Sequence, residues 1–216
     1  MSYQASHDAL TGLVNRREFE RRLGEALESA RAGRQSHVMC YLDLDRFKAV
    51  NDTSGHLAGD NMLREVAALI REAVRDSDTV ARLGGDEFGV LLVGCPLEKA
   101  RQIADDIWRA IGEYRFVWKD RIFSVGVSLG LVELTGESNS QEEIMNAADS
   151  ACYVAKRQTG SHVHVYSSHD EAVARSRGEI HWLQRLQAAL RDGFFELYLQ
   201  PIEPTRPGSI GGPAME

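Results

Sequence analysis

The chain predicts an α/β layered domain, and three observations carry that prediction. Amphipathic helical stretches alternate with short apolar runs of strand length. Two of those runs flank a Gly-Gly pair, the pattern of strand, tight turn, strand. Finally, 43% hydrophobic and 26% charged residues over 216 positions give one well-cored domain plus an extension, not two full domains.

Taken in order, a first helix spans about Arg16 to Ala30, with Phe19, Leu23, Ala26, Leu27 and Ala30 on one face and Gly33 ending it. Val38 to Leu42 is a continuous apolar strand that runs into Asp43 and Asp45. A short helical turn, Phe47 to Asn51, and a loop punctuated by Gly55 and Gly59 follow. Leu63, Val66, Ala67, Ile70 and Val74 form the next helical stripe. Ala81 to Leu83 and Phe88 to Val93 are the hairpin strands around Gly84-Gly85. Two further helices carry Ala100, Ile103, Ala104, Ile107 and Ile111, then Ile144, Ala148, Ala151 and Ala155. Between them, Phe116 to Trp118 and Ile122 to Val132 read as extended runs around Lys119-Asp120, and His162 to Tyr166 as a last short strand.

Beyond Tyr166 the character changes. Ser167 to Asp170 reads as a junction, followed by a helix with Ile180, Leu183, Leu186 and Leu190. Phe194 to Ile202 reads as a strand with nothing to pair with, and the Gly- and Pro-rich tail 203–216 as disordered. The division expected is 1–166 for the domain, 167–202 for the added helix and strand, and 203–216 for the tail.

A net charge of −7 argues against a duplex nucleic-acid binder, which needs a basic face. It leaves a nucleotide site open, because metal ions offset phosphates and carboxylates together. No apolar run approaches bilayer length and the N-terminus has no signal-type apolar region, so the expected setting is cytoplasmic, without membrane contact by this piece. A parent protein attached to the inner membrane remains compatible with that. Cys40, Cys95 and Cys152 lack both metal-ligand spacing and an even disulfide set, and are read as buried thiols.

Gly84-Gly85-Asp86-Glu87-Phe88 is the most informative segment. The glycines let a bulky ligand approach the main chain, and two carboxylates follow at once. Asp43 and Asp45 alternate onto one strand face. If that strand neighbours the hairpin, Asp43 and Asp86 converge. Carboxylates meeting at one point repel unless a cation sits between them, and oxygen-only ligation selects a hard ion such as Mg²⁺ or Mn²⁺. This is the arrangement of metal-assisted nucleotidyl transfer.

In sequence order, Asp8-Ala9-Leu10-Thr11-Gly12-Leu13-Val14-Asn15-Arg16-Arg17, Asp43 to Asp52, Gly55 to Asp60, Arg82 to Phe88 and Ala147 to Lys156 together resemble the GGDEF family of diguanylate cyclases. The resemblance runs from about His7 to Tyr166. It implies a palm or class III nucleotidyl-cyclase-like α+β fold, a mostly antiparallel sheet flanked by helices with the glycine pair on a hairpin. It also implies condensation of two GTP into cyclic di-GMP.

Carried over by position, the resemblance makes Asp43, Asp86 and the Leu44 carbonyl metal ligands. Glu87 is then implicated in metal binding or in activating the 3′-hydroxyl, and Asp86 and Glu87 both stand as candidates for the general base. Asn51 and Asp60 read guanine, His56 lines the nucleotide pocket, Lys48 and Lys156 lie near the triphosphate, and Gly84-Gly85 lie against the substrate. Each has a bland reading as well: Asn51-Asp52 terminating a helix, Asp60 capping one that begins near Asn61, the lysines solvated. Asp45 reads as a structural salt-bridge partner, and Asp8 and Arg82 as a pair tying the N-terminal segment to the hairpin. The family's late GRNR is absent: Gly160 stands where an arginine is expected, so a phosphate contact is either missing or supplied by Arg157, which implies lowered affinity or rate.

Arg75-Asp76-Ser77-Asp78 fits the family's RxxD product-inhibition site, with Arg101 and Arg109 as candidates for an added arginine. One GTP per domain makes a homodimer necessary for a symmetrical product. Arg185 to Leu190 and Phe195 to Ile202 resemble the opening of an EAL phosphodiesterase domain, with Gln200 on its substrate side, but the EAL motif itself is absent. The alternative function is a catalytically weak module that binds GTP or cyclic di-GMP and regulates an attached EAL domain.

Overall fold

A computed structural model describes residues 5–137, 140–158 and 162–167, together with the backbone of 201–202 and 214–215. The chain divides into two compact units, Met1–Ser176 and Arg177–Glu216.

In the first unit, β1 (Val14–Asn15) leads directly into α1 (Arg16–Arg31), whose first turn is capped by the Asn15 side chain accepting from the Glu18 N–H. Then come β2 (His37–Asp45), α2 (Phe47–Ser54), α3 (His56–Glu72), β3 (Thr79–Gly84), β4 (Glu87–Leu92) and α4 (Leu97–Glu113). After them follow β5 (Phe116–Trp118), β6 (Arg121–Phe123), β7 (Gly126–Leu134), α5 (Gln141–Arg157) and β8 (Val163–Val165). The main sheet has the order β1-β3-β4-β2-β7-β8. Its three inner pairings are antiparallel and its two outer ones, β1 with β3 and β7 with β8, are parallel. The expected α+β architecture with a mostly antiparallel sheet is what forms.

β2 is central, and its alternation builds a core on each face. Val38, Cys40, Leu42 and Leu44 point toward the α3 and α4 side, where Met62, Val66, Ile70, Ile107 and Ile111 cover them. Met39 and Tyr41 point to the other side, against Phe19 and Leu23 of α1 and Ile144 and Ala148 of α5. On that second face the next two residues in phase are Asp43 and Asp45. The strand thus changes from apolar to acidic as it leaves the core.

Several expectations shift. The run Ile122 to Val132 is broken: β5 and β6 form a separate two-stranded sheet whose Phe116 packs its ring against Trp118 and Phe123, and β7 begins afresh at Gly126. α2 continues to Ser54 and α3 already starts at His56. The strand ending at Ile202 is not unpaired. β9 (Pro201–Ile202) pairs antiparallel with β10 (Ala214–Met215), because a two-residue ladder needs only a returning chain, which composition does not reveal. The junction at 168–170, the helix carrying Ile180 to Leu190, residues 194–200 of the expected strand, Gly160 and tail positions 203–213 and 216 lie outside the described residues. All three cysteines are buried and free. No helix among the described residues is long and apolar enough to cross a membrane.

Candidate active site

The acidic end of the sheet is assembled by strand register. Asp43 on β2 lies directly opposite Glu87 on β4, so both side chains emerge on the α1 and α5 face. Asp86 sits in the turn just before, and its carbonyl accepts from the Leu44 N–H at 3.3 Å, holding the turn against the end of β2. Gly85 at φ 51 occupies the left-handed region, where a side chain would strain the backbone. Arg82 fixes the same turn from behind: its Nε and Nη2 donate to the Gly85 carbonyl at 3.0 and 2.9 Å. The Arg82 Nη1 reaches Asp8 at 3.3 Å, the pair expected from sequence. Asp8 also accepts from the Thr11 N–H and hydroxyl, so the N-terminal motif is a brace for the glycine turn.

α5 supplies the third wall. A Cβ on Gly130 would collide with the Ala148 carbonyl and the Cys152 amide, so α5 lies almost backbone to backbone on β7. That close packing brings two α5 residues to the acidic end. Lys156 Nζ donates to Asp43 Oδ1 at 2.7 Å. Asp149 adds a further negative charge, felt by Asp43 and Glu87.

Burial and mutual repulsion set the electrostatics. Burial lifts the Asp86 carboxyl above the usual carboxylate range, and the Asp43 charge adds to it. Burial likewise lifts Glu87, opposed by a hydrogen bond from Tyr41 and reinforced by Asp149, Asp43 and Asp86. Asp149 is exposed on the surface of α5, and its carboxyl rises through partial desolvation among its neighbours and through the Asp43 charge. Burial works against the Lys156 charge, yet the bond to Asp43 and the fields of Asp43 and Asp45 outweigh it and raise its pKa.

The acids are therefore short of positive charge, and the donors present are carboxylate and carbonyl oxygens, a set that suits a hard divalent ion. Among the described residues no three His, Cys, Asp or Glu side chains gather at metal-holding distance, and the cation in contact with Asp43 is Lys156. The fit is thus one of chemistry and charge, with Lys156 standing where positive charge is wanted.

Among the described residues Asp45 does not make the expected salt bridge within 4 Å, though its charge acts on Lys156. It accepts from the Ser128 Oγ at 3.0 Å, because β7 rather than a basic side chain lies opposite it. Asn51 and Asp60 both lie inside helices, so neither the helix-ending nor the capping explanation holds for them. Asn51 packs on Gly59, where a Cβ would strike its Oδ1, and that buried Oδ1 has no hydrogen-bond partner among the described residues. Lys48 and His56 are exposed on α2 and at the start of α3. Arg157 lies over the Tyr153 ring. At the far end of the β3–β4 hairpin, Asp78 is buried and accepts from the Arg75 and Val93 amides at 3.1 Å each, while Arg75 is exposed.

Tyr41 and Asp149 were not singled out as site residues by sequence. Tyr41 sits two positions before Asp43, in phase with it, and that alternation was the available signal. Asp149 lay within the late motif but had no partner to give it a role.

A mixed α+β sheet flanked by helices, with acids gathered at a glycine turn, has the architecture of a palm-like cyclase domain. The comparisons make this specific: the chain belongs to the GGDEF family, described as the diguanylate cyclase GGDEF domain, which matches residues 5–162. It is 46% identical over 184 residues to the probable diguanylate cyclase DgcE of Escherichia coli K12, covering 83% of this chain and 17% of that protein. It spans less than half the length of the first curated relatives it matches. The GGDEF domain of TpbB from Pseudomonas aeruginosa superposes with a TM-score of 0.72 at 37% identity, covering 78% of this chain and 99% of that one. The coiled coil and GGDEF domain of DgcB from Caulobacter crescentus, in complex with c-di-GMP, gives 0.70 at 28% identity, covering 76% and 86%.

Proposed function

We propose that this chain condenses two GTP into cyclic di-GMP and two pyrophosphates, using Mg²⁺ or Mn²⁺. The observation that carries the reading is the register placing Asp43 opposite Glu87, with Asp86 in the glycine turn beside them. Asp43, Asp86, Glu87 and the Leu44 carbonyl are the residues that would hold the metal. When bound, it supplies Lewis-acid polarisation of the phosphate and a lowered pKa for the attacking hydroxyl.

The chain's own residues do the rest. Asn51 Oδ1, buried without a partner among the described residues, accepts from a guanine N–H, and Asp60 takes another. His56 lines the base. Lys48 and Lys156 place positive charge on the triphosphate and favour departure of pyrophosphate. Gly84-Gly85 let the phosphates approach the backbone. Glu87 or Asp86 accepts the 3′-hydroxyl proton as that oxygen bonds to the α-phosphorus of the second GTP. Burial and like charge raise both carboxyls, the direction a base requires, and a bound divalent ion would lower again whichever of them it is held by.

One nucleotide per domain means two domains must face each other, so the active form is a homodimer. Product returns to the exposed Arg75 to inhibit, with Asp78 holding the turn that presents it; that the DgcB relative was solved in complex with c-di-GMP shows that a GGDEF domain can hold the product. The segment after Tyr166 is read as the opening of an EAL domain, and the setting as cytoplasmic.

Purified protein incubated with GTP and Mg²⁺ and resolved chromatographically tests this. Cyclic di-GMP is expected, with two pyrophosphates per product. Its absence at high protein concentration, with guanine nucleotide still bound, would instead favour a regulatory module.

A further inference from the structure

We infer that Lys156 is the resident counter-ion of Asp43, and that a divalent cation reaches this carboxylate only by exchanging with it. The ammonium then moves to the nucleotide arriving with the metal. The inference deepens the cyclase reading of this site and rests on it.

The contact is direct: Nζ lies 2.7 Å from Asp43 Oδ1. It is also open, with the two side chains 43% and 27% exposed, so it contributes little to holding the fold and can be broken without unpacking anything. Asp43 belongs to an acid-rich end that includes Asp86, Glu87 and Asp149, and Lys156 is the cation bonded to it. A dication and an ammonium cannot share one carboxylate oxygen without strong like-charge repulsion. Metal that arrives alone and takes the Oδ1 side of Asp43 must therefore displace Lys156, which loses its 2.7 Å contact without a new anion in exchange.

Metal arriving with a triphosphate gives Lys156 a new anion within reach of its flexible four-carbon stem, on the last turn of α5. Lys156 thus opposes metal alone and favours the metal–nucleotide pair. By linkage, nucleotide and metal strengthen each other by the same factor. A lysine that merely touched phosphate would leave nucleotide-free metal binding unchanged.

The test is Mn²⁺ binding to the full chain, followed by the electron paramagnetic resonance signal of free Mn²⁺. It is run with and without a GTP analogue carrying a methylene bridge between the α- and β-phosphorus. Lys156→Met should bind Mn²⁺ alone about three- to tenfold tighter than wild type, and the enhancement given by the analogue should shrink by a similar factor. Lys156→Arg, which keeps the charge, should stay near wild type. Should Lys156→Met misfold, Lys156→Gln takes the same measurement with the same readings.

The inference is overturned if the neutral variant binds Mn²⁺ alone no tighter than wild type, both being undetectable included. It is equally overturned if the analogue's enhancement is undiminished. No turnover is needed, so a protein that makes no cyclic di-GMP yet shows the tightening would lose the cyclase reading and keep the exchange.

Discussion

At one end of the β3–β4 hairpin, Asp78 is buried with both carboxylate oxygens taken by backbone amides. At the other, Asp86 and Glu87 face Asp43 and Asp149, and burial and like charge raise both. The same short ladder therefore carries one acid whose charge is satisfied by the fold and a pair whose charge is not. A satisfied carboxylate stabilises; an unsatisfied cluster is kept at a cost in stability and marks the place where charge is to be supplied from outside. The contrast also divides the RxxD pair. Asp78 holds the strand ends with both oxygens engaged, and in the proposed inhibitory site the exposed Arg75 would be the half that meets product.

Mutation at the two ends should break differently. Asp86→Asn should lower cyclic di-GMP synthesis on the order of a thousandfold while leaving the thermal midpoint unchanged or raised, as removing one of several repelling charges predicts. Chromatographic rates beside thermal melts check this, and a lowered midpoint would contradict it. Asp78→Ala should do the reverse, losing about 1–3 kcal/mol in urea unfolding because two partly buried amides lose their charged acceptor. Arg75→Ala should leave that unfolding curve in place and change only inhibition by added product.

Tyr41 sharpens the comparison from inside the acidic end, since its phenol faces Glu87 and opposes the rise of that carboxyl. Tyr41→Phe keeps the ring in the core and removes the hydroxyl. Turnover should fall about tenfold, with a shift in the Mn²⁺ concentration for half activity and no loss of stability. Equal rates at every metal concentration would remove Tyr41 from the site.

The smallest effect is electrostatic. Asp149 has a folded-state pKa above its ordinary value, so the folded protein binds that proton more tightly than the unfolded chain. Its contribution to stability therefore falls as pH rises through the interval between the unfolded and folded values. Asp149→Asn should remove that loss. Without metal, a gain of about a few tenths of a kcal/mol should appear above the carboxylate range and vanish below it. Urea unfolding at acid and neutral pH, without and with Mn²⁺, measures the difference; a gain equal at both pH values would contradict the assignment.

Much of this was legible in the chain. Alternation along β2 placed Asp43 and Asp45 on one face, and the Gly84-Gly85 turn fixed where the second pair of acids would lie. What local pattern could not give was pairing across elements. That Asp45 meets Ser128 rather than a base depends on β7 register, and the Lys156–Asp43 contact depends on how closely Gly130 lets α5 approach. Asn51 and Asp60 looked equally like helix-end residues until α2 and α3 proved to run through them. The extended stretch from Ile122 was split because its first residues complete a small aromatic hairpin of their own.

The most direct test of the central claim is a crystal of this chain grown with Mn²⁺ and the methylene-bridged GTP analogue, with anomalous scattering used to locate the manganese. The account predicts a peak at coordination distance from the Asp43 and Asp86 carboxylates, with the triphosphate against Gly84-Gly85. A manganese peak away from those residues, or a nucleotide bound elsewhere on the domain, would contradict it.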